Sequence, residues 1–137
     1  FNISRKQIEN GLMIEPLICR FELINENILI DGAHNPEAIE NLFSSLASYF
    51  SKKIRCVFAC FKDKNLDSML AIADRECESV LLTTFNHKRA RTEEDYFLYL
   101  ADYDFEEDYK KAIDDTRTKY PDDLIVVCGS LAFASVV

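Results

Sequence analysis

An α/β domain built on a mostly parallel sheet is what this sequence predicts, on three observations. Short apolar runs rich in Ile, Val and Leu alternate with longer stretches of helical periodicity along the chain. Two of the runs, "IRCVFACF" and "DLIVVCGS", are almost continuously apolar, as strands covered by helices on both faces must be. No repeat, low-complexity tract or Pro/Gly/Ser-rich linker divides the 137 residues, so residues 1–137 read as a single domain.

"SRKQIENGL" reads as a short helix, with Ser4 as N-cap and Gly11 as its stop. "RFELI" and "NILIDG" read as two strands around a turn at residues 25–27. They either join the parallel sheet or form an antiparallel hairpin at one edge. Apolar residues at Ile39, Leu42, Phe43, Leu46 and Phe50 then repeat with the spacing of one helix face over residues 36–51. "IRCVFACF" is the next strand, and Leu66, Met69, Leu70, Ala73 and Cys77 mark the next helix. "SVLLTTF" is another strand, and "TEEDYFLYL" reads as a helix capped by Thr92. Residues 105–119 suit a polar surface helix buried only at Tyr109, Ala112, Ile113 and Thr116. "DLIVVCGS" closes the series as a strand entering a Gly-Ser turn.

Composition narrows the function. The net charge is −8, and residues 92–123 hold 12 of the 24 acids but only 4 of the 16 bases. This argues against nucleic-acid binding through a broad basic face. An anionic ligand would need a local cluster of donors. The longest uncharged apolar run, "SLAFASVV", falls well short of the roughly 20 residues that span a bilayer. No secretory signal pattern is visible, and five cysteines without C-x-x-C spacing support neither a disulfide framework nor a zinc site. A reducing cytoplasm is the expected compartment. The first residue is Phe1 and a helical pattern begins at once, which reads as a segment of a longer polypeptide.

Ligands of parallel α/β sheets collect at the carboxyl ends of the strands, so three turns are the candidate site. In "DGAHNP", Asn35 and Pro36 suit a helix start. That leaves Asp31 and His34 unexplained, except as an ordinary polar turn. In "FKDKN", Lys62 and Lys64 flank Asp63 and could hold a carboxylate or phosphate, although an exposed charged turn is the commoner meaning. In "CGSLAF", backbone N–H groups and the Ser130 hydroxyl meet a helix start, a weak anion-site signal by itself. With three glycines in all (Gly11, Gly32, Gly129), neither a P-loop nor G-x-G-x-x-G is present.

The stretch "CRFELINENILIDGAHNPEAIENL" resembles the opening of the C-terminal domain of folylpolyglutamate and dihydrofolate synthases, members of the Mur ligase superfamily. "FKDKNLDSML", "HKRA" and "CGSLAFASVV" resemble later family segments in the same order, so the resemblance covers about residues 4–137. Two departures stand out: Ile18-Cys19 where the family usually has Pro-Gly, and Asn65 in place of an acid.

The resemblance implies a Rossmann-like fold with helices on both faces of the sheet. It also implies part of an ATP-dependent ligase that joins L-glutamate to a folate or dihydropteroate carboxylate through an acyl phosphate. Mg2+ and the phosphate loop would belong mainly to an N-terminal ATPase domain absent from these residues, leaving this domain inactive alone and with no metal ligands of its own. By the same resemblance, Arg20, Asp31 and Asn35 would meet ATP and His34 would lie at the reacting groups. Lys62, Lys64 and Ser130 would hold glutamate, while Gly32 and Asp63 would order their turns. A cytoplasmic monomer that contacts neither nucleic acid nor membrane is expected. Two alternatives stay open: a Mur-type ligase for another acceptor, and a noncatalytic Rossmann-like binding domain.

Overall fold

A computed structural model describes residues 21–24 and 26–137. The expected first helix with Ser4 and Gly11, and the Arg20 assignment, lie outside these residues. The sheet is six-stranded: β1 (Glu22–Ile24), β2 (Ile28–Ile30), β3 (Ile54–Phe58), β4 (Ser79–Thr83), β5 (Asp104–Glu106) and β6 (Leu124–Cys128), in the spatial order β1-β2-β6-β3-β4-β5. β1 and β2 form the antiparallel edge hairpin, with Leu23 opposite Leu29, and every other pairing is parallel.

Strand alternation divides the core between two faces. Leu29, Cys56, Phe58, Val80, Leu82, Leu124, Val126 and Cys128 face one cluster, which contains α1 (Pro36–Tyr49) and α2 (Leu66–Glu76). Ile28, Ile30, Val57, Leu81, Ile125 and Val127 face the other, with α3 (Tyr109–Lys119) and α4 (Leu131–Val136). All five residues of β6 are buried, because that strand lies in the middle of the sheet under helices on both sides.

The helices begin where capping chemistry puts them. Asn35 accepts from the Ala38 N–H at 2.8 Å, with Pro36 next in line, and Asn65 accepts from the Ser68 N–H at 3.2 Å. α1 buries Ile39, Leu42, Phe43 and Leu46, four of the five residues of the predicted stripe, while Phe50 becomes its C-cap.

Two expectations are corrected. "TEEDYFLYL" is a 3-10 helix over Glu94–Tyr99, and Thr92 does not cap it. Instead, the Thr92 N–H and hydroxyl both donate to the Asp95 carboxylate, at 2.9 and 3.0 Å. Residues 105–119 are not all helix. Asp104–Glu106 pairs with β4 as a short edge strand, and α3 starts only at Tyr109, capped by Asp108. Three residues reading Asp-Phe-Glu carry too little alternation to announce a strand. Ala112, Ile113 and Thr116 are buried on α3 as expected, while Tyr109 is half-buried. Among the described residues no helix is long and apolar enough to cross a membrane.

Candidate functional site

The topology reverses direction on both sides of β6, since its neighbours β2 and β3 lead into helices on the face opposite to α4. β2 leads into α1 on one face, β6 leads into α4 on the other, and the two strands are neighbours. Ligands of open α/β sheets gather where adjacent strands send their connections to opposite faces. The turns after β2 and β6 meet there: the Asp31 N–H donates to Val127 O at 3.0 Å, and the Gly129 N–H to Ala33 O at 2.9 Å.

Asp31 is buried. One carboxylate oxygen accepts from the Ala33 N–H and the other from the Phe21 N–H, each at 2.8 Å. The first bond closes a tight Asp turn. The second holds Phe21 in the left-handed region, φ +52°, where a bulky side chain is rarely found. Asp31 therefore has a structural task at the chain's entry to β1, which its position in the sequence did not suggest. His34 is half-buried, with Nδ1 2.9 Å from Gly32 O. A carbonyl only accepts, so Nδ1 carries the proton and a neutral ring presents Nε2 as its acceptor. Asn35 is exposed and its side-chain oxygen is spent on the cap.

The two glycines sit where another segment packs closely against the turn. Gly129 has φ +117°, and a Cβ there would overlap the Ala59 carbonyl and lie 3.0 Å from the Phe58 ring. A Cβ on Gly32 would lie 2.7 Å from Leu131 Cδ1. Ser130 is buried, and its hydroxyl accepts from the Phe133 N–H at 3.3 Å as the cap of α4. The Asp31–Asn35 and Gly129–Ser130 turns thus form one packed unit, over which the half-exposed Leu131 rests.

The Lys62–Lys64 turn follows β3, on the other side of β6. Here the structure adds residues that had no assigned role. Phe61 and Ala90 form an antiparallel bridge, and the Lys62 N–H donates to Arg89 O at 2.9 Å. Arg89 pairs with Asp63 at 3.1 Å and lies over the Phe61 ring at 4.4 Å. Arg91 donates to the carbonyls of Lys62 (3.1 Å), Lys64 (3.4 Å) and Asp95 (3.1 Å). Lys62 is exposed and 3.8 Å from the Asp95 carboxylate. Lys64 is half-buried and makes no ion pair among the described residues. The Thr92 backbone N–H, followed by its hydroxyl, holds the Asp95 carboxyl below the ordinary aspartate range. The sequence shows the two arginines but not this clamp, which depends on the bridge between Phe61 and Ala90.

Stacked rings join this turn to α4: Phe61 to Phe85 at 6.1 Å, and Phe85 to Phe133 at 5.2 Å. Among the described residues no three His, Cys, Asp or Glu side chains gather as a metal site.

The chain was compared with known proteins. It is 28% identical over 142 residues to the dihydrofolate synthase/folylpolyglutamate synthase of Bacillus subtilis, covering 98% of this chain and 33% of that protein. The fold matches the bifunctional folylpolyglutamate synthase/dihydrofolate synthase of Yersinia pestis, solved with AMPPNP and Mn, with a TM-score of 0.79 at 24% identity, over 99% of this chain and 34% of the other. Mycobacterium tuberculosis folylpolyglutamate synthase, solved with ADP and AMPPCP, matches with a TM-score of 0.75 at 26% identity, over 96% and 34%. The chain thus spans about a third of the length of these relatives. The family model described as "Mur ligase, glutamate ligase domain" matches residues 19–131, most of the sequence. With the doubly covered sheet and its strand order already in place, this chain belongs to the Mur ligase glutamate ligase domain family.

Proposed function

We propose that this chain is the C-terminal domain of an ATP-dependent ligase that joins L-glutamate to a folate or dihydropteroate carboxylate. It would act with an N-terminal ATPase domain of the same polypeptide, in a reducing cytoplasm and as a monomer. The observation that carries the reading is the packing of "DGAHNP" against Gly129-Ser130 at a switch point of the sheet. The relatives, about three times as long, leave room for the missing half of the site.

In this reaction the γ-phosphoryl group of ATP passes to the acceptor carboxylate. The glutamate amine then attacks the acyl phosphate, and the tetrahedral intermediate expels phosphate as the amide forms. Such chemistry needs positioning and charge stabilisation more than a protein nucleophile. Asp31 would meet the ribose, its carboxylate held in place by the backbone N–H groups of Phe21 and Ala33. His34 offers Nε2 to the reacting groups, its ring oriented by Gly32 O. Arg20 would add permanent positive charge at the nucleotide, and Asn35 would hold the turn through its cap. Lys62, Lys64 and Ser130 would receive glutamate, with Asp63 and Gly32 ordering the backbone. Mg2+ would screen the phosphates, with its ligands expected mainly from the N-terminal domain, as the family resemblance implies.

The test is turnover of the full-length polypeptide. His34→Ala should lower kcat about 10²-fold, as removal of a positioned proton acceptor does, without lowering Tm. Wild-type turnover would remove the role. Asp31→Ala is a poorer probe, because it also releases the Phe21 and Ala33 N–H groups. Residues 1–137 alone should neither hydrolyse ATP nor form folylglutamate, and robust ligation by them would overturn the reading.

A further inference from the structure

We propose that Arg91 is a positioning residue for the amino-acid substrate, setting the Lys62–Asp63–Lys64 turn from behind. The inference rests on the reading above in one respect, that this turn meets glutamate.

One guanidinium ties together three carbonyls from two separate segments, those of Lys62, Lys64 and Asp95. Its forked, planar donors reach both segments from one fixed plane, a constraint that a point-like ammonium does not impose. The main chain makes the arrangement rigid: the Arg91 N–H donates to Cys60 O at 3.0 Å, and the adjacent Ala90 bridges Phe61. Arg91 also governs both lysines. It fixes their backbones directly, and through Asp95 O it holds the residue whose carboxylate lies 3.8 Å from Lys62 Nζ. Lys62 thus has a counter-ion supplied by the clamp, and Lys64 has none among the described residues. The clamp orders two cations while pairing only one of them, the state an incoming dicarboxylate can complete.

A further observation is that Arg91 Nε is buried with no hydrogen-bond partner among the described residues. An unsatisfied buried donor costs stability, so a guanidinium is a poor choice for a brace alone. Its value lies in the three carbonyls it aligns.

The experiment is steady-state kinetics on the full-length ligase carrying Arg91→Met, Arg91→Lys or Lys64→Ala. Arg91→Met keeps the apolar stem and should raise the glutamate KM about tenfold, with kcat within about threefold and the ATP KM unchanged. Arg91→Lys should fall between Arg91→Met and wild type. A brace without a positioning role would lower Tm and the active fraction and leave the glutamate KM untouched, which would overturn the proposal. Should Arg91→Met fail to fold, Arg91→Lys carries the same test, and a wild-type glutamate KM there overturns it equally. Lys64→Ala separates the two readings. If it leaves the glutamate KM unchanged, the turn is not the glutamate site and both fail. If it raises that KM while the Arg91 variants do not, only the inference about Arg91 fails.

Discussion

Gly129→Ala is the most discriminating test of how the two strand-end turns are packed. The φ of +117° at this position is a conformation L residues rarely adopt. Forcing one into it costs about 1–3 kcal/mol. The new Cβ would also overlap the Ala59 carbonyl and lie 3.0 Å from both Ala59 C and the Phe58 ring. Ala59 cannot simply step aside, since its N–H donates to Cys128 O at 3.2 Å. Overpacking of this kind adds about 1–3 kcal/mol, for a total of about 2–6 kcal/mol. With an unfolding entropy of about 0.29 kcal/mol/K for a domain of this size, Tm should fall by about 7–20 °C. Urea unfolding followed by circular dichroism would measure the loss directly. Gly32→Ala is the control: its Cβ would meet the Leu131 side chain at 2.7 Å, and Leu131 is 54% exposed and can swing away. That variant should lose about 1 kcal/mol, most of it recovered in Gly32→Ala/Leu131→Ala. If Gly129→Ala proves no worse than Gly32→Ala, the backbone argument is wrong.

Three further outcomes are expected. Arg55→Ala should destabilise by about 2–4 kcal/mol in urea, because it strands Asp123 (2.9 Å) at a part-buried site and removes a guanidinium stacked 3.6 Å from the Tyr120 centroid. Arg55→Lys should recover less than half of that, and full recovery would show that charge alone matters. The Asp95 carboxyl, with its folded value depressed first by the Thr92 N–H, contributes stability that is present above its unfolded value near about 3.9 and is lost as pH falls through the folded one. NMR titration should find it below an ordinary aspartate and only partly restored in Thr92→Ala, which keeps the backbone donor. Among the described cysteines, Cys56, Cys60 and Cys128 should resist a disulfide reagent at about pH 8 until the chain unfolds, since all three are buried. Contacts with the Cys128 and Cys77 thiols, with burial, push Cys56 well up, and burial pushes Cys60 up to about 11. Modification of any of the three at the rate of half-buried Cys77 would contradict this packing.

The elements that were legible in the sequence are those with strong local signals. The α1 stripe and its Asn35-Pro36 start, the apolar β3 and β6 runs, and the convergence of strand-end turns all follow from periodicity, capping and the parallel-sheet rule. β5 was illegible because three residues with two acids draw their strand character from pairing with Leu81, Leu82 and Thr83. The Thr92 cap misled because Asp95, three residues on, turns the same hydroxyl into a donor. At the site, Asp31 and His34 stood out as residues that a helix start did not explain, although Asp31 proves to close its own turn. The roles of Arg89 and Arg91 depend on the Phe61–Ala90 bridge, a contact between distant segments that no local pattern encodes. The central place of β6 is a global property of the same kind.

That place has a consequence for the order in which the molecule is made. Before Leu124 leaves the ribosome, β1–β2 and β3–β4–β5 are two separate fragments of sheet, because β2 does not pair with β3. Ile28 waits for Ile125 and Ile54 for Leu124, so the slowest contacts to close are the ones that join the halves. A nascent chain stalled at Asp123 would carry "DGAHNP" and "FKDKN" in full, yet lack the strand that brings them together. The meeting of the two strand-end turns therefore waits for β6, and a chain without that strand holds both turns but not their arrangement.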